Sequence, residues 1–562
     1  MHDLVIDDAR IVDGTGGPSR HGSVAVKDGR IVEAGGASGQ AARERIDAGG
    51  RVVAPGFIDP HTHYDAQVAW DPMLTSSSWH GVTTVVTGNC GVGVAPCRPE
   101  NREVLMGDLV NVEAIPLDVM RAGIDWTWES FPQWMDALGR ARLGINVAPL
   151  VPLTPLRHHV IGGASFERAA LPHETATMAR LLDEALGAGA FGFSTTILRN
   201  HVGDQGRPLA CRKASADELR ALSAVLRRHG RGAIEIALMA LSDQVSAEEM
   251  ETLTLLVEES RRPVTFLAIF ARPGRPPGSH EEGLKRVAHL LGRDRAVPQI
   301  SCRPLRVQFT LKNPFIFAGM TPWAKAFNRT PAEQTALYRS DEFRREWKAE
   351  LERRRARLFS RITIRDASAP GVVALAGRSV TDIASARGIE AADAFLDVAL
   401  EDGLDTLFDY PVFNQDPEAV RPLVVDPRFL IGLSDGGAHV DQLCDVGYAT
   451  YLLGKWVRQW EALTLERAVH RLTGEVADFF GIPNRGRIAP GAAADLVLFD
   501  PATVDDRPAE YVHDLPNGAK RLIARAQGIA ATIVAGQVVY RDDQPTGARP
   551  GTVLRSGSAQ GA

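Results

Sequence analysis

Cysteine is scarce in this 562-residue chain: Cys90, Cys97, Cys211, Cys302 and Cys444 are odd in number and widely spaced. That excludes the dense disulfide framework of small secreted domains and favours a reducing compartment. Long apolar runs are missing too. Nothing approaches the roughly 18 consecutive apolar residues that a membrane-crossing helix needs. The chain starts with Asp3, Asp7 and Asp8 where a secretory signal would place positive charge and then an apolar stretch. These absences lead us to expect a soluble cytoplasmic protein. Neither sign of charge dominates: 63 basic and 69 acidic residues leave a formal net charge of -6, without the basic excess of a nucleic-acid binder. Solenoid repeats and long low-complexity tracts are absent as well. What is there is ordinary globular composition, 44% hydrophobic and 23% charged, which supports a sizeable core and argues against wholesale disorder.

The pattern of elements divides the chain. Residues 1–54 read as short strands separated by Gly-rich and Asp-Gly turns, and residues 485–562 repeat that pattern at Asp495 to Phe499, Ile529 to Val534 and Gln537 to Val539. Short strands cannot bury a face alone, so both ends are expected to build one small β-sandwich domain into which residues 55–484 are inserted. The middle carries apolar runs without polar alternation: Val82 to Val86, Ile145 to Val151, Phe191 to Ile197, Ala233 to Leu238, Val264 to Ile269 and Leu430 to Leu433. Such runs suit a parallel sheet covered on both faces. Helical apolar spacing lies between several of them, in 174–186 and 216–228. The fold class predicted is α/β, a (β/α)8 TIM-like barrel. Insertions are expected near 100–143, packed over the barrel mouth around Trp126, Trp128 and Trp134, and near 271–362, where the charged run 343–352 reads as a solvated helix.

The chemically suggestive residues fall at strand ends. His61 and His63 stand at i and i+2 after an apolar strand, so an extended backbone points both imidazoles to one side. They suit a zinc-type metal, or they are packed histidines. Cys90 follows the strand 82–87, where barrel enzymes keep their chemistry; a buried structural thiol is the plain alternative. Asp435, after Leu430 to Leu433, is a candidate metal ligand or acid/base, or a turn residue before two glycines. Glu235 lies inside an apolar strand and needs a metal, a proton or an ion-pair partner. His439 is a candidate for substrate contact or for a structural role. Arg157 and Arg199, with His201 nearby, could hold a substrate carboxylate or be ordinary surface groups. Taken together, His61, His63, Cys90 and Asp435 point to metal-assisted hydrolysis. A dinucleotide enzyme is disfavoured, because Asp13-Gly14-Thr15-Gly16-Gly17 lacks the spacing of a phosphate-binding loop.

Residues 55–63 and 432–439, framed by terminal β segments, resemble the metal-dependent amidohydrolase superfamily. More narrowly, Thr87-Gly88-Asn89-Cys90-Gly91, Gly192-Phe193-Ser194-Thr195, Ser434-Asp435-Gly436-Gly437-Ala438-His439 and the tail 545–551 resemble the N-acyl-D-amino-acid deacylase (D-aminoacylase) family over nearly the whole chain. The resemblance implies hydrolysis of an N-acylated D-amino acid to a carboxylate and the free D-amino acid. It implies one or two zinc ions, or another divalent metal, with Cys90 as a metal ligand, His61 and His63 at a second metal position and Asp435 as acid/base. Members of the family carry histidines at the ends of the fifth and sixth strands. Here Ala233 to Leu238 and Val264 to Ile269 contain none, so Glu235, His201 or a loop histidine is expected to complete a different metal site, or a single metal serves a changed substrate. Loss of hydrolytic activity is the third possibility. The expected partner is a small N-acylated molecule rather than nucleic acid or a membrane, with a homo-oligomer left open. The alternatives are a hydrolase of another linear or cyclic amide, and a non-catalytic binding protein on this scaffold.

Overall fold

The computed structural model describes residues 1–36, 39, 41–238, 244–354 and 358–557. Residues 37–38 and 40 of the first terminal segment, 355–357 of the second expected insertion and 558–562 of the tail lie outside them.

Eight parallel strands form the centre: β1 (Phe57–Asp59), β2 (Val82–Thr87), β3 (Asn146–Pro149, continued at Val151–Pro152), β4 (Gly192–Thr196), β5 (Ala233–Ala237), β6 (Val264–Ile269), β7 (Ala296–Ile300) and β8 (Leu430–Ile431). Each is hydrogen-bonded to the next, and a parallel bridge between Thr62 and Gly436 joins the end of β1 to the end of β8. The expected barrel is therefore present. Both faces of the sheet are covered: β2, β5 and β6 are buried along their whole length. Helices Pro172–Gly187 and Ala216–His229 form part of the outer layer, burying Met178, Leu182 and Leu186 on one and Leu219, Leu222 and Leu226 on the other. Ser215 starts the second by accepting a hydrogen bond from the Glu218 N–H at 3.2 Å.

Both chain ends meet in one nine-stranded sheet. Its junction is the antiparallel pair Val52–Pro55 and Leu496–Phe499. Residues from both ends, among them Leu4, Ile6, Ile11, Val26, Leu496 and Ile533, enclose a hydrophobic core of their own. The tail then returns to the barrel: the Val147 N–H donates to the Thr552 carbonyl (3.0 Å) and the Leu554 N–H to the Val147 carbonyl (2.8 Å), on β3.

Two expectations need correction. The segment 271–362 is not one insertion, because it contains the barrel strand β7. Pro298 and Gln299 interrupt the apolar run there and hide it from a pattern search. The insertion lies between β7 and β8 and holds a three-stranded antiparallel sheet, Leu305–Phe309, Leu407–Phe413 and Thr363–Asp366. Nor is the charged run a wholly solvated helix. Helix Asp341–Arg354 buries Phe343, Trp347 and Leu351, which join Phe309, Trp323, Phe395 and Phe408 in a second core. Among the described residues, no helix is long and apolar enough to cross a membrane.

Candidate metal centre and active site

The His61-Thr62-His63 segment follows β1 and is held on both sides. Thr62 donates through its N–H and its Oγ1 to the Val86 carbonyl (3.1 and 2.8 Å), and the His63 N–H donates to the Gly436 carbonyl (2.7 Å). Both imidazoles then face one space, with ring centroids 5.2 Å apart. Cys90 enters from the turn after β2. Its N–H donates to Glu235 Oε2 on β5 at 2.6 Å, and the following Gly91 N–H donates to Ser194 Oγ on β4 at 2.9 Å. Asp435 enters from the end of β8.

The donor atoms of His61, His63 and Cys90 all lie within 4.8 Å of one another, and all three residues are buried. His61 Nε2 is 3.5 Å from Cys90 Sγ and 3.4 Å from Asp435 Oδ1. Bonds of about 2.0 Å to nitrogen and 2.3 Å to sulfur place tetrahedral neighbours about 3.5 Å apart, so these separations fit ligands around one cation. The donor chemistry agrees, since imidazole, thiolate and carboxylate suit a borderline divalent metal. So does one unsatisfied atom: Glu235 Oε1 is buried without an aligned hydrogen bond among the described residues. Thr265 Oγ1, on the β6 residue paired in register with Glu235, is equally unsatisfied. The fifth and sixth strands thus offer a carboxylate and a hydroxyl.

Burial disfavours every charged form here in the absence of a cation. It pushes His61 down to about 3 and His63 well below its usual range, with His61 and His439 adding to the effect. It pushes the Cys90 thiol and the Glu235 carboxyl well up. Asp435 keeps 20% of its side-chain surface accessible; even so, burial, followed by the charges of Asp445 and Asp59, raises it to about 7. A bound cation reverses this balance for a thiol or carboxylate.

A cavity of about 420 Å³ opens above Asp435. Its walls are largely apolar, from Leu198, Phe270, Phe315, Phe317, Met320 and Phe413, so most of the lid comes from the insertion between β7 and β8. His201 and His439 line it beside Asp435, and burial lowers them to about 3 and about 4. Both arginines expected at the substrate are elsewhere. Arg157 is fully buried and ion-paired with Glu218, and its guanidinium also donates to the carbonyls of Ser165 (3.0 Å) and Arg168 (2.7 Å). It ties the helix Leu153–Ile161 to the helix Ala216–His229 and to the segment 165–168. Arg199 is exposed, and its neighbours Leu198, Asn200 and His201, rather than Arg199, line the cavity.

One site residue escapes sequence reasoning. Glu113 ends helix α1 (Arg102–Glu113) in the insertion between β2 and β3. Its Oε1 lies 3.2 Å from His63 Nδ1. No motif marks it: Val110-Asn111-Val112-Glu113 reads as an ordinary helix end, and only the tertiary path brings it to the metal centre.

Comparison with known proteins agrees with this geometry. The family model described as "Amidohydrolase family" matches residues 44–540. An N-acyl-D-aspartate deacylase of Alcaligenes xylosoxydans xylosoxydans is 32% identical, covering 99% of this chain and 96% of its own length. A D-aminoacylase of the same organism is 28% identical, covering 98% and 97%. A crystal structure of N-acyl-D-glutamate deacylase from Bordetella bronchiseptica, holding zinc and a phosphonate mimic of the tetrahedral intermediate, superposes with a TM-score of 0.68. It is 27% identical and covers 99% of this chain and 100% of that one. With the buried His61/His63/Cys90 cluster in a closed barrel, these matches establish that the chain belongs to the amidohydrolase family, metal-dependent enzymes acting on C–N bonds other than peptide bonds.

Proposed function

We propose that this protein hydrolyses the amide bond of N-acyl-D-amino acids, releasing a carboxylate and the free D-amino acid, with zinc at His61, His63 and Cys90. The observation that carries the proposal is the cluster of those three donors beside Asp435, whose Oδ1 is 3.4 Å from His61 Nε2 and which itself lines the cavity. The names of three similar proteins, an N-acyl-D-aspartate deacylase, a D-aminoacylase and an N-acyl-D-glutamate deacylase, supply the substrate class. Glu235 belongs to the proposed centre, where its Oε2 holds the Cys90 turn and its Oε1 is left to face the cation. When bound, a divalent ion polarises the amide carbonyl and lowers the pKa of water beside it. Asp435 takes one proton from the attacking water and returns it to the leaving nitrogen, so that a C–O bond forms as the C–N bond breaks. His201 and His439, on the cavity wall, contact the substrate. The apolar walls accommodate an acyl chain or an apolar side chain and exclude water from the reacting amide.

A second reading is hydrolysis of another linear or cyclic amide: Arg157 and Arg199 lie away from the cavity, and of the arginines that do line it, Arg272, Arg354 and Arg361, the last two already donate to the Gly319 and Pro411 carbonyls. One experiment separates the two. Apo-protein is titrated with zinc while hydrolysis of matched N-acetyl-D- and N-acetyl-L-amino acids and of neutral cyclic amides is followed, with bound metal counted in the same sample. D-selective turnover that rises with metal occupancy is expected. Metal-replete protein that turns over only cyclic amides would select the second reading, and no turnover on either set would reject both.

A further inference from the structure

The helix inserted between β2 and β3 ends at the metal centre, and its last residue has no other evident purpose there. Glu113 is 1% exposed. A carboxylate at the end of a helix meets the negative pole of the helix dipole, and removing it from water is costly without compensation. Among the described residues no lysine or arginine pairs with it. Its two oxygens face imidazoles instead: Oε1 lies 3.2 Å from His63 Nδ1 and Oε2 lies 4.0 Å from His439 Nε2. The Glu113 carbonyl also accepts the main-chain N–H of His439. The other nitrogen of His63, Nε2, is on the side of Asp435, 3.9 Å from its Oδ1.

The geometry points to Glu113 as a positioning residue for His63: its carboxylate accepts a hydrogen bond from the Nδ1–H and leaves Nε2 aimed at the metal, so that the inserted helix is a working part of the centre. The Nδ1 contact is within reach but not yet aligned as a hydrogen bond, and a small turn of the ring completes it. A histidine that binds a metal through one nitrogen commonly gives its other N–H to a carboxylate, which fixes both tautomer and ring plane. The support for Glu113 is itself rigid. Earlier in the same helix, Asp108 Oδ2 is 3.1 Å from His158 Nε2, and its Oδ1 accepts the Asp204 N–H at 2.7 Å. Asn111 Nδ2 donates to the Gly203 carbonyl at 2.6 Å. The helix is thus clamped to the segments that follow β3 and β4, and Glu113 arrives from a fixed direction.

This inference rests on the metal-centre reading above, and the test keeps the two apart. Metal affinity is measured by competition with a chelator, and the cobalt-substituted protein is followed by its visible spectrum. The proteins are wild type, Glu113→Ala, Glu113→Gln, His63→Ala and the double variant His63→Ala/Glu113→Ala, with thermal melting as a check on folding. Loss of an outer carboxylate of this kind typically lowers affinity about 10–100-fold. That loss is expected for Glu113→Ala in the wild-type background and not in the His63→Ala background, because the effect passes through His63. The isosteric Glu113→Gln is expected to melt like wild type and still shift the cobalt spectrum. Affinities within about twofold of wild type and unchanged spectra in both Glu113 variants overturn the inference while leaving the metal centre intact. An equal loss with and without His63 also overturns it. A wild-type protein that takes up no metal rejects the metal centre itself.

Discussion

At the residue scale, the site is built from positions that ordinary sequences avoid. Cys90, Leu433, Asp435 and His439 all hold positive φ, between +48° and +61°, and none is glycine. Strained backbone of this kind costs of order 1–3 kcal/mol per residue and persists where surrounding structure enforces it. Here it aims a thiol, a carboxyl and an imidazole at one space. Two variants separate their duties. Cys90→Ala is expected to lose bound metal, measured by elemental analysis, and turnover with it. Asp435→Asn is expected to keep most of the metal and lose turnover by about 100-fold or more, within the ordinary range for an acid/base group. Arg157 behaves otherwise. Breaking a buried ion pair costs about 3–5 kcal/mol, so Arg157→Met should lower the urea midpoint sharply while KM per folded molecule stays unchanged. A rise in KM without loss of stability would restore the substrate role that its strand-end position suggests.

At the element scale, the strands easiest to read from sequence are those sealed on both faces. β2, β4, β5 and β6 are buried along their length because helices cover them outside and side chains fill them inside. β7 escapes such a reading for a physical reason: Gln299 is buried despite its amide and Pro298 breaks the run, so burial no longer follows hydrophobicity. The antiparallel sheet of the second insertion is equally hidden, since its strands are short and pair across long sequence separations. His61, His63, Cys90 and Asp435 are legible because they follow apolar strands. Glu113 is not, because a helix end carries no mark of what it will meet. The loop after β8 has its own constraint. Gly437 has φ +89°, and a Cβ there would lie 2.7 Å from the His63 carbonyl oxygen. Gly437→Ala is therefore expected to destabilise the protein by at least about 1 kcal/mol and to reduce metal occupancy, both read from melting with and without added zinc.

At the scale of the whole molecule, the two ends of the chain and the barrel hold one another. His80, fully buried just before β2, contacts Thr450 Oγ1 (2.8 Å) and the Ala524 carbonyl (3.1 Å), linking three distant segments. Burial lowers its pKa to about 4. Above pH about 6.5 folded and unfolded chains both carry it neutral, and it has no pH-dependent effect. Between about 6.5 and 4 the unfolded chain takes a proton that the folded chain refuses, so stability falls as pH falls, by about 2 kcal/mol between about pH 7 and 5. His80→Gln should show a smaller drop in urea midpoint over that interval; an identical drop would assign the acid sensitivity to other groups. A chain of residues 56–484 should fail to give a cooperative melt, because it lacks Leu496–Phe499 and the tail strand that lies along β3.

The pairing of Val52–Pro55 with Leu496–Phe499 has a consequence for how the protein is made. A ribosome adds about 5–20 residues per second, so roughly 440 residues separate these partners by about 20–90 seconds of synthesis. Throughout that interval the amino-terminal strands present an unpaired edge that other chains can join. The tail that completes β3 arrives later still. The terminal sheet therefore closes only once translation is nearly finished, whereas the barrel, whose last strand ends at Ile431, is complete about 65 residues earlier, and with it the proposed metal centre, to which residues following both β1 and β8 contribute.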